Sequence, residues 1–166
     1  MKRTLYFFVS LFLNISFTFG TEIIEVRKMY YDAATKKDAS ELFLTSMKNI
    51  KVESNPLLLC YRGMAYMIGA KYSFNPYTKL SYFNKGKEML EKAVKAEPEN
   101  VEIRFMRYCI QTNAPFFLNY SSNADDDKTI ILKSWATIND IDLKLKIKNY
   151  MLQSASCTQI EKSVFK

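Results

Sequence analysis

A joint between two amphipathic helices lies within residues 85–107, KGKEMLEKAVKAEPENVEIRFMR. Apolar residues recur at three- and four-residue spacing on both sides of this joint, which predicts two helices. Pro98 ends the first helix, and residues 97–100, EPEN, predict a turn before the second. Helices joined by so short a turn pack against each other in antiparallel fashion. With only four glycines and four prolines in the chain, a sheet with many tight turns is disfavoured.

The same spacing predicts helices along the rest of the chain, so we expect an all-α fold. Residues 56–71, PLLLCYRGMAYMIGAK, are apolar on nearly every side, which is typical of a central, buried helix. Residues 141–148, IDLKLKIK, alternate apolar and polar side chains, which is a strand pattern. No other segment resembles a partner strand, so we expect a helix there as well. The expected helices cover, approximately, residues 21–35, 38–50, 56–71, 79–96, 101–112, 125–138, 140–153 and 158–164.

The first twenty residues have the pattern of a secretory signal peptide. After a positively charged start, residues 5–13 form an uncharged apolar run, and residues 18–20 place small side chains where a signal peptidase reads. A retained membrane anchor is the rival interpretation, but the apolar stretch is shorter than the ~20 residues that a spanning helix needs. We therefore expect cleavage after Gly20 and export to the periplasm or out of the cell. The mature chain, residues 21–166, is then one helical domain without a membrane span.

Histidine is absent from the sequence, which removes several classes of active site. A Ser-His-Asp triad, a Cys-His pair and a His-ligated metal are all excluded. Cys60, Cys109 and Cys157 lie far apart, which also excludes a CxxC redox motif and a cysteine-rich zinc site. An odd count in an exported protein allows either one disulfide with a free thiol or three buried thiols. We expect a non-enzymatic protein that needs no cofactor and no metal.

Residues 59–100 resemble one tetratricopeptide repeat (TPR). The resemblance is carried by YRGMAYM in the first helix and by GKEMLEKAVKAEPEN in the second. The small, aromatic, alanine and proline positions of the family motif are matched by Gly63, Ala65, Tyr66, Gly86, Ala93 and Pro98. About eleven extra residues separate the two helices relative to the motif, and Leu59 stands where the family prefers tryptophan. The resemblance implies a TPR-like array of antiparallel helix hairpins, about three pairs plus a C-terminal helix.

In TPR arrays the first helix of each pair builds an inner face that binds partners. Here that face would be mostly apolar, with residues Leu57, Cys60, Met64, Met67, Ile68, Glu102, Phe105, Cys109, Thr112 and Asn113. This set disfavours the TPR clamp for a carboxylate tail, which uses lysine, arginine and asparagine. Because so short an array needs a closed core, we expect another part of the chain to fill the face.

The mature chain also resembles small exported helical proteins of Gram-negative bacteria. The similar stretches are SFNPYTKLSYFNKGKEMLEKAV and NVEIRFMRYCIQTNAPFFLNYSS. This group has no assigned activity, so the resemblance implies fold and export and adds no catalytic residue. We expect a protein-protein interaction or scaffold module with an unknown protein partner. The alternative is a small-ligand-binding protein, or an enzyme that uses acidic, lysine and tyrosine groups.

The connection after the third helix, residues 72–78 (YSFNPYT), is the first candidate for a partner surface. Aromatic side chains on loops are enriched at protein interfaces. The candidate residues are Tyr72, Phe74, Tyr77, Lys79 and Tyr82. The alternative is that Phe74 and Tyr77 only cover the open end of the helix hairpin.

Three arginines, Arg62, Arg104 and Arg107, are a candidate contact for an anionic ligand. Arginine is also the usual choice for ion pairs within a protein, and we favour that alternative. The acids expected to pair with these arginines are Glu91, Glu97 and Glu102.

The acidic run Asp125–Asp127 has two interpretations. It could bind a divalent cation, but it lacks the alternating acids and the glycine of a calcium loop. We therefore expect these residues to stabilise the N-terminus of a helix through its dipole. The net charge of +7 is spread along the chain without a basic stripe, so no nucleic-acid partner is expected.

Overall fold

The computed structural model describes residues 15–50, 52 and 55–166. Over these ranges the chain forms eight α-helices and two short 3-10 helices and contains no β-strand, which confirms the all-α prediction. The α-helices are α1 Ile15–Thr35, α2 Lys37–Asn49, α3 Pro56–Tyr72, α4 Pro76–Ala96, α5 Val101–Asn113, α6 Ala124–Ser134, α7 Ile141–Gln153 and α8 Gln159–Ser163. The 3-10 helices are Phe116–Leu118 and Trp135–Thr137.

The alternating segment is helical, as predicted, and forms α7. Leu143, Ile147 and Met151 are four residues apart along α7 and are buried, whereas Ile141 and Leu145 are exposed. Only every second member of the alternating apolar set therefore faces the core. Apolar residues at every second position include residues four apart, and residues four apart lie on the same face of a helix. A helix can therefore bury that face and expose the remaining apolar residues.

Asparagine side chains cap the N-termini of α3 and α5. The Asn55 Oδ1 atom accepts a hydrogen bond of 2.9 Å from the backbone N–H of Leu58, and Pro56 follows at the first helical position. Proline is tolerated there because its missing N–H would have no helical partner. Asn100 accepts bonds from two N–H groups in the first turn of α5. These caps explain why the predicted starts at Pro56 and Val101 are correct.

Consecutive helices pack as neighbours along the chain. α3 and α4 share the longest contact, and α1 with α2, α2 with α3, α4 with α5, and α5 with α6 are also packed together. In addition, α3 contacts both α1 and α5. One hydrophobic core runs through these contacts and extends from Ile23 to Phe165.

α3 is the central helix that its apolar sequence predicts. Cys60, Tyr61, Met64 and Ala65 in its middle have no exposed surface. It packs against four other helices, which is why nearly every side of it is apolar.

The backbones of α3 and α4 cross at two glycines. A Cβ atom built on Gly63 would lie 2.8 Å from the carbonyl oxygen of Gly86. A Cβ atom built on Gly86 would lie 2.6 Å from the carbonyl oxygen of Gly63 and 2.6 Å from the Cγ atom of Met67. These separations are too short for any side chain, so only glycine at both positions permits this approach.

α7 lies against both α1 and α5. The Lys146 Nζ atom is 4.3 Å from the centre of the Tyr31 ring in α1. The Tyr150 ring packs edge-on against Phe105, with 5.6 Å between ring centres, and also against Tyr108. Its hydroxyl lies 2.6 Å from the Thr112 hydroxyl. α7 thus covers Phe105 and Thr112 of α5, two of the residues that the TPR resemblance assigned to an inner face.

Candidate functional site

The corner between α3 and α4 is shorter than the sequence predicted. The Asn75 Oδ1 atom accepts hydrogen bonds from the backbone N–H groups of Tyr77 and Thr78, at 2.8 Å and 3.2 Å. Pro76 follows at the first helical position, so α4 begins there and not at Lys79. The expected loop is therefore a three-residue link, and Tyr77 lies on a capped helix. The Asn-Pro pair was the sequence signal for this earlier start.

Two aromatic rings at this corner are almost fully exposed. Phe74 is 92% exposed and Tyr77 is 85% exposed, and Leu80, one turn further along α4, is 52% exposed. Lys79 is exposed as well, but residues two apart in a helix do not share a face, so Lys79 projects from another side of α4 than Tyr77. We refer to Phe74, Tyr77 and Leu80 as the α3–α4 corner. Rings that covered the end of the hairpin would be buried against it, so the exposure of Phe74 and Tyr77 disfavours that alternative.

The other two predicted residues of this site pack against the protein. The Tyr72 hydroxyl donates a hydrogen bond of 3.3 Å to the carbonyl oxygen of Ala34 in α1. The Tyr82 ring stands edge-on to Tyr66 with 5.5 Å between ring centres. Both tyrosines are only partly exposed. Of the five predicted residues, the structure therefore leaves Phe74 and Tyr77 exposed at the corner and sets Lys79 on another side of α4. Tyr72 and Tyr82 support the corner from beneath.

Lysines border the α3–α4 corner. The Lys37 Nζ atom lies 5.6 Å from the centre of the Phe74 ring, which is within the range of a cation–π contact. The Lys71 Nζ atom donates a hydrogen bond of 2.9 Å to the carbonyl oxygen of Ala34 and lies 5.1 Å from the Tyr72 ring centre. The corner thus combines exposed apolar surface with positive charge at its edge.

Arg62 binds the end of α2. Its Nε atom donates a hydrogen bond of 2.8 Å to the carbonyl oxygen of Met47, and its Nη2 atom donates to the carbonyl oxygen of Ile50. Carbonyl groups in the last turn of a helix have no helical partner, so an arginine that crosses from α3 satisfies them.

Arg104 and Arg107 converge on Asp127. Arg107 donates to both carboxylate oxygens of Asp127 at 2.8 Å and to the Glu91 Oε2 atom at 2.7 Å. Arg104 donates to the Asp127 Oδ1 atom at 2.8 Å. The expected pairing with Glu91 is confirmed for Arg107, and the partner that the sequence analysis missed is Asp127. Arg62 contacts α2 instead, so the structure does not bring the three arginines to one site.

The acidic run at the start of α6 divides into two roles. Asp125 and Asp126 are exposed in the first turn, where negative charge stabilises the helix dipole. Asp127 is fully buried and forms the ion pairs with Arg104 and Arg107. The predicted role at the helix N-terminus therefore applies to Asp125 and Asp126 only. Asp127 lies further into α6, and its side chain faces α5. Among the described residues, no group of three acidic or cysteine side chains is placed to hold a metal ion.

A buried arginine at the centre of the fold was not identified from the sequence. Arg27 in α1 is 1% exposed. Its Nε and Nη2 atoms donate to the two carboxylate oxygens of Glu102 at 2.9 Å and 3.0 Å. Nη2 also donates to Asp140 at 2.9 Å and Nη1 to Asp142 at 3.0 Å, while the Tyr61 hydroxyl donates to Glu102. We call these five residues the Arg27 cluster. It connects α1, α3, α5 and the start of α7.

Contacts within the Arg27 cluster stabilise the ionisation states of its members. Burial opposes the charge of Arg27, but hydrogen bonds to Glu102 and Asp140 raise its pKa above the ordinary arginine value. Burial also opposes the ionisation of Asp140, but hydrogen bonds from Arg27 and the Leu143 N–H lower its pKa. Burial and the neighbouring Glu102 raise the pKa of Tyr61. The arginine therefore stays charged and the tyrosine stays neutral at neutral pH, and the cluster joins four helices through these contacts.

One sequence signal pointed to this cluster. Arg27 lies four residues after Ile23 and next to Val26, both of which are buried in α1. A charged residue on the apolar stripe of a helix requires an acidic partner, since an unpaired buried charge is very costly. The sequence alone does not identify that partner, because Glu102 is 75 residues away.

All three cysteines are free thiols in the structure, and Cys60 and Cys157 are buried. Cys109 is partly exposed, so the alternative of three buried thiols describes two of the three cysteines, and the structure shows no disulfide among them. Burial and the nearby Glu102 carboxylate raise the pKa of the Cys60 thiol. Burial also raises the pKa of Cys109, although its hydrogen bond with Tyr150 acts in the opposite direction.

We expect Cys60 and Cys109 in the folded protein to react with a chromogenic disulfide reagent more than about tenfold slower than a free cysteine at pH 8. The thiolate is the reactive form, and a raised pKa leaves little of it. Absorbance in buffer and in guanidinium chloride measures both states, and three thiols should react once the protein is unfolded. Fewer than three reactive thiols after unfolding would show a disulfide and contradict the structure.

No family model, curated protein or solved structure matches this chain. Over the described residues, none of the helices has the length and apolar character needed to cross a membrane. A function for this chain is therefore inferred from the contacts and exposure of its own residues.

Proposed function

We propose that this chain is a TPR-like interaction module that is exported from the cytoplasm and catalyses no reaction. The TPR-like arrangement is supported by helices that pack in sequence and by α3, which contacts both α1 and α5. The close approach of Gly63 and Gly86 lies where the TPR motif has small residues. These contacts support a hairpin array in which alternate helices form one layer.

Export is the second part of the proposal, and the sequence of residues 1–20 supports it. Residues 1–14 lie outside the described ranges, and the expected cleavage point after Gly20 lies within α1 of the full chain. The mature chain would keep Arg27 and every contact of the Arg27 cluster, because these residues all follow Gly20.

The partner site of this module is the α3–α4 corner, and not the inner face. α7 covers the α5 part of that face with Tyr150, and the Arg27 cluster occupies Glu102. A partner that used the inner face would have to displace these contacts. The α3–α4 corner is available without any rearrangement.

The exposure of Phe74 and Tyr77 on a capped helix end is the observation that carries the proposal. Leaving a large aromatic side chain in water forgoes about 1.5–3 kcal/mol of burial, which a partner recovers on binding. The Asn75 cap and Pro76 order the backbone next to the two rings before binding, so little backbone entropy is lost when a partner binds. Exposed aromatic residues on a rigid support have the character of interface hot spots.

The lysines at the edge of the corner indicate the kind of partner. Lys37 and Lys71 place positive charge beside the apolar centre. A protein with an apolar pocket and acidic residues around it would complement this surface. The aromatic rings would supply most of the affinity, and the lysines would supply orientation and a faster association rate.

We expect the double substitution Phe74→Ser/Tyr77→Ser to reduce crosslinking to the protein partner by about tenfold or more. The full chain with a C-terminal tag is expressed in its own cells, and crosslinked complexes are isolated and identified by mass spectrometry. The matched control is Leu42→Ser/Ile160→Ser, which removes two other exposed apolar side chains, on α2 and α8. The control should leave the complex unchanged, because neither residue belongs to the α3–α4 corner.

A partner that is lost equally in both double variants would contradict the assignment of the corner. A partner that is retained in the Phe74→Ser/Tyr77→Ser variant would do so as well. Circular dichroism of the variants should match the parent protein, since the substituted side chains are exposed and their loss creates no cavity.

A further inference from the structure

A second exposed aromatic surface lies in the link between α5 and α6. Residues 114–123, APFFLNYSSN, contain no charged side chain. Phe116 is 99% exposed and Phe117 is 81% exposed, and both lie on the 3-10 helix Phe116–Leu118. Two adjacent phenylalanines project from the protein here at a position that the proposed partner site does not include. We call residues 114–123 the Phe-Phe loop.

The base of the Phe-Phe loop is fixed to α4. Tyr120 is buried, and its hydroxyl donates a hydrogen bond to Glu91. Its ring stands edge-on to Phe83 with 5.8 Å between ring centres. Asn119 has a left-handed backbone with φ of 45°, which turns the chain between the 3-10 helix and Tyr120. The loop is thus a supported projection, with its buried end at Tyr120 and its exposed end at Phe116.

The face of α4 that meets the loop is positively charged. The Lys87 Nζ atom lies 4.8 Å from the centre of the Tyr120 ring. Lys79 and Lys87 are four residues before and after Phe83, so they share the side of α4 that contacts Tyr120. Helix α4 has five lysines and two glutamates in total. Among the described residues, only Lys92 of these five lysines forms an ion pair.

We propose that the Phe-Phe loop inserts into the surface of a membrane that contains anionic lipids. An exposed pair of aromatic rings on an uncharged loop can enter the boundary between headgroups and acyl chains without burying a charge. Lysines beside the loop are attracted to an anionic leaflet, and residues 21–166, which remain after the proposed cleavage, still carry 22 basic and 17 acidic residues, a net charge of +5. The two parts are complementary, because the rings supply apolar burial and the lysines supply the electrostatic attraction.

The convex shape of the tip favours a membrane over a protein as its occupant. Phe116 has almost its whole surface in water, so the ring stands clear of the rest of the chain. A protein partner would have to provide a deep pocket for such a tip, whereas a bilayer adapts to it. This inference is independent of the proposed function, since it concerns other residues and another class of partner.

Sedimentation with lipid vesicles tests the inference directly. The mature chain, residues 21–166, is mixed with vesicles of phosphatidylglycerol and phosphatidylcholine in equal parts, and separately with vesicles of phosphatidylcholine alone, because the apolar run of residues 5–13 would bind vesicles by itself. The variants are Phe116→Ser/Phe117→Ser and, as the matched control, Leu42→Ser/Ile160→Ser. Both replace two exposed apolar side chains, and Leu42 and Ile160 lie outside both aromatic surfaces, so a difference between the variants locates the effect in the loop.

We expect the parent protein to bind the anionic vesicles and to bind phosphatidylcholine alone more weakly. Phe116→Ser/Phe117→Ser should weaken binding to the anionic vesicles by about tenfold or more, given the apolar area that each phenylalanine buries. The control should bind like the parent protein. High salt should lower the binding of all three, since the lysine contribution is screened.

Three results would overturn this inference. One is that the parent protein does not bind anionic vesicles. Another is that both double variants lose binding equally, which would show general adhesion. The third is that the two phenylalanines bind a soluble protein while vesicles remain unbound, which would make the loop a protein-docking site. Loss of partner crosslinking at the α3–α4 corner would not affect any of these outcomes.

Discussion

Leucine in place of Gly63 is expected to lower the free energy of unfolding by about 3 kcal/mol or more, because overpacking at a helix crossing forces the backbones apart. The first atom of the new side chain would already lie 2.8 Å from the carbonyl oxygen of Gly86. This neighbour is backbone, so no rotamer change relieves the contact. For a chain of this size the melting temperature should fall by about 6–12 °C, measured by circular dichroism.

Alanine substitutions at Gly63 and Gly69 give a matched comparison within α3. A Cβ atom at Gly69 meets only side chains, with Tyr82 Cδ2 at 3.2 Å and Leu44 Cδ2 at 3.4 Å. These atoms can move, and alanine gains up to about 1 kcal/mol of helix propensity over glycine. We therefore expect Gly69→Ala to stay within about 1 kcal/mol of the parent protein, while Gly63→Ala loses about 2 kcal/mol. Equal stability of the two variants would refute the glycine crossing.

The α3–α4 hairpin was the part of the fold most accessible from sequence. Periodicity located the helices, and Pro56 and Pro98 marked a start and an end within a residue or two. Gly63 and Gly86 match the small-residue positions of the TPR motif, and in the structure they lie opposite each other. Local signals of this kind are read correctly because caps, breakers and apolar stripes act within one or two turns.

The start of α4 shows where local reading failed. The sequence predicted a connection over residues 72–78 and a helix from Lys79, but Asn75 caps a helix that begins at Pro76. The same error affected the candidate site. Exposure depends on which way each turn of the helix faces, so sequence proximity grouped Tyr72 and Tyr82 with the truly exposed Phe74 and Tyr77.

The partners in long-range ion pairs could not be predicted from the sequence, for a different reason. Arg107 was expected to pair with Glu91, and it does, but the more deeply buried partner is Asp127. Arg27 meets carboxylates that are 75 to 115 residues away. Such pairs depend on the relative positions of whole helices, and an acidic residue on a helix surface looks the same in sequence whether it faces solvent or another helix.

Replacing Arg27 by leucine is expected to lower the free energy of unfolding by about 3–5 kcal/mol, because it leaves a buried carboxylate without a cation. Glu102 is 5% exposed and would keep only the Tyr61 hydroxyl as a partner among the five cluster residues. The loss should be measured by urea denaturation at pH 7. Arg104→Leu is the matched control, because Asp127 retains both of its bonds to Arg107. We expect it to lose only about 1 kcal/mol.

A second variant separates the charge effect from the loss of packing. In Arg27→Leu/Glu102→Leu neither buried charge remains, and replacing a buried pair by apolar residues is often neutral. The double variant should therefore be more stable than Arg27→Leu alone. If the two have the same stability, the uncompensated charge of Glu102 is not the cause of the loss.

The pH dependence of the same variants provides a further check on Arg27. The pKa of Asp140 is lowered in the folded protein by its hydrogen bonds from Arg27 and Leu143. A lowered carboxyl pKa adds stability above the unfolded value, near pH 4, and that stability disappears as the pH falls through the folded value. Arg27→Leu removes this contribution, so the difference between the parent protein and the variant should narrow below about pH 4. A constant difference from pH 7 to pH 3 would mean that Arg27 stabilises the fold by packing alone.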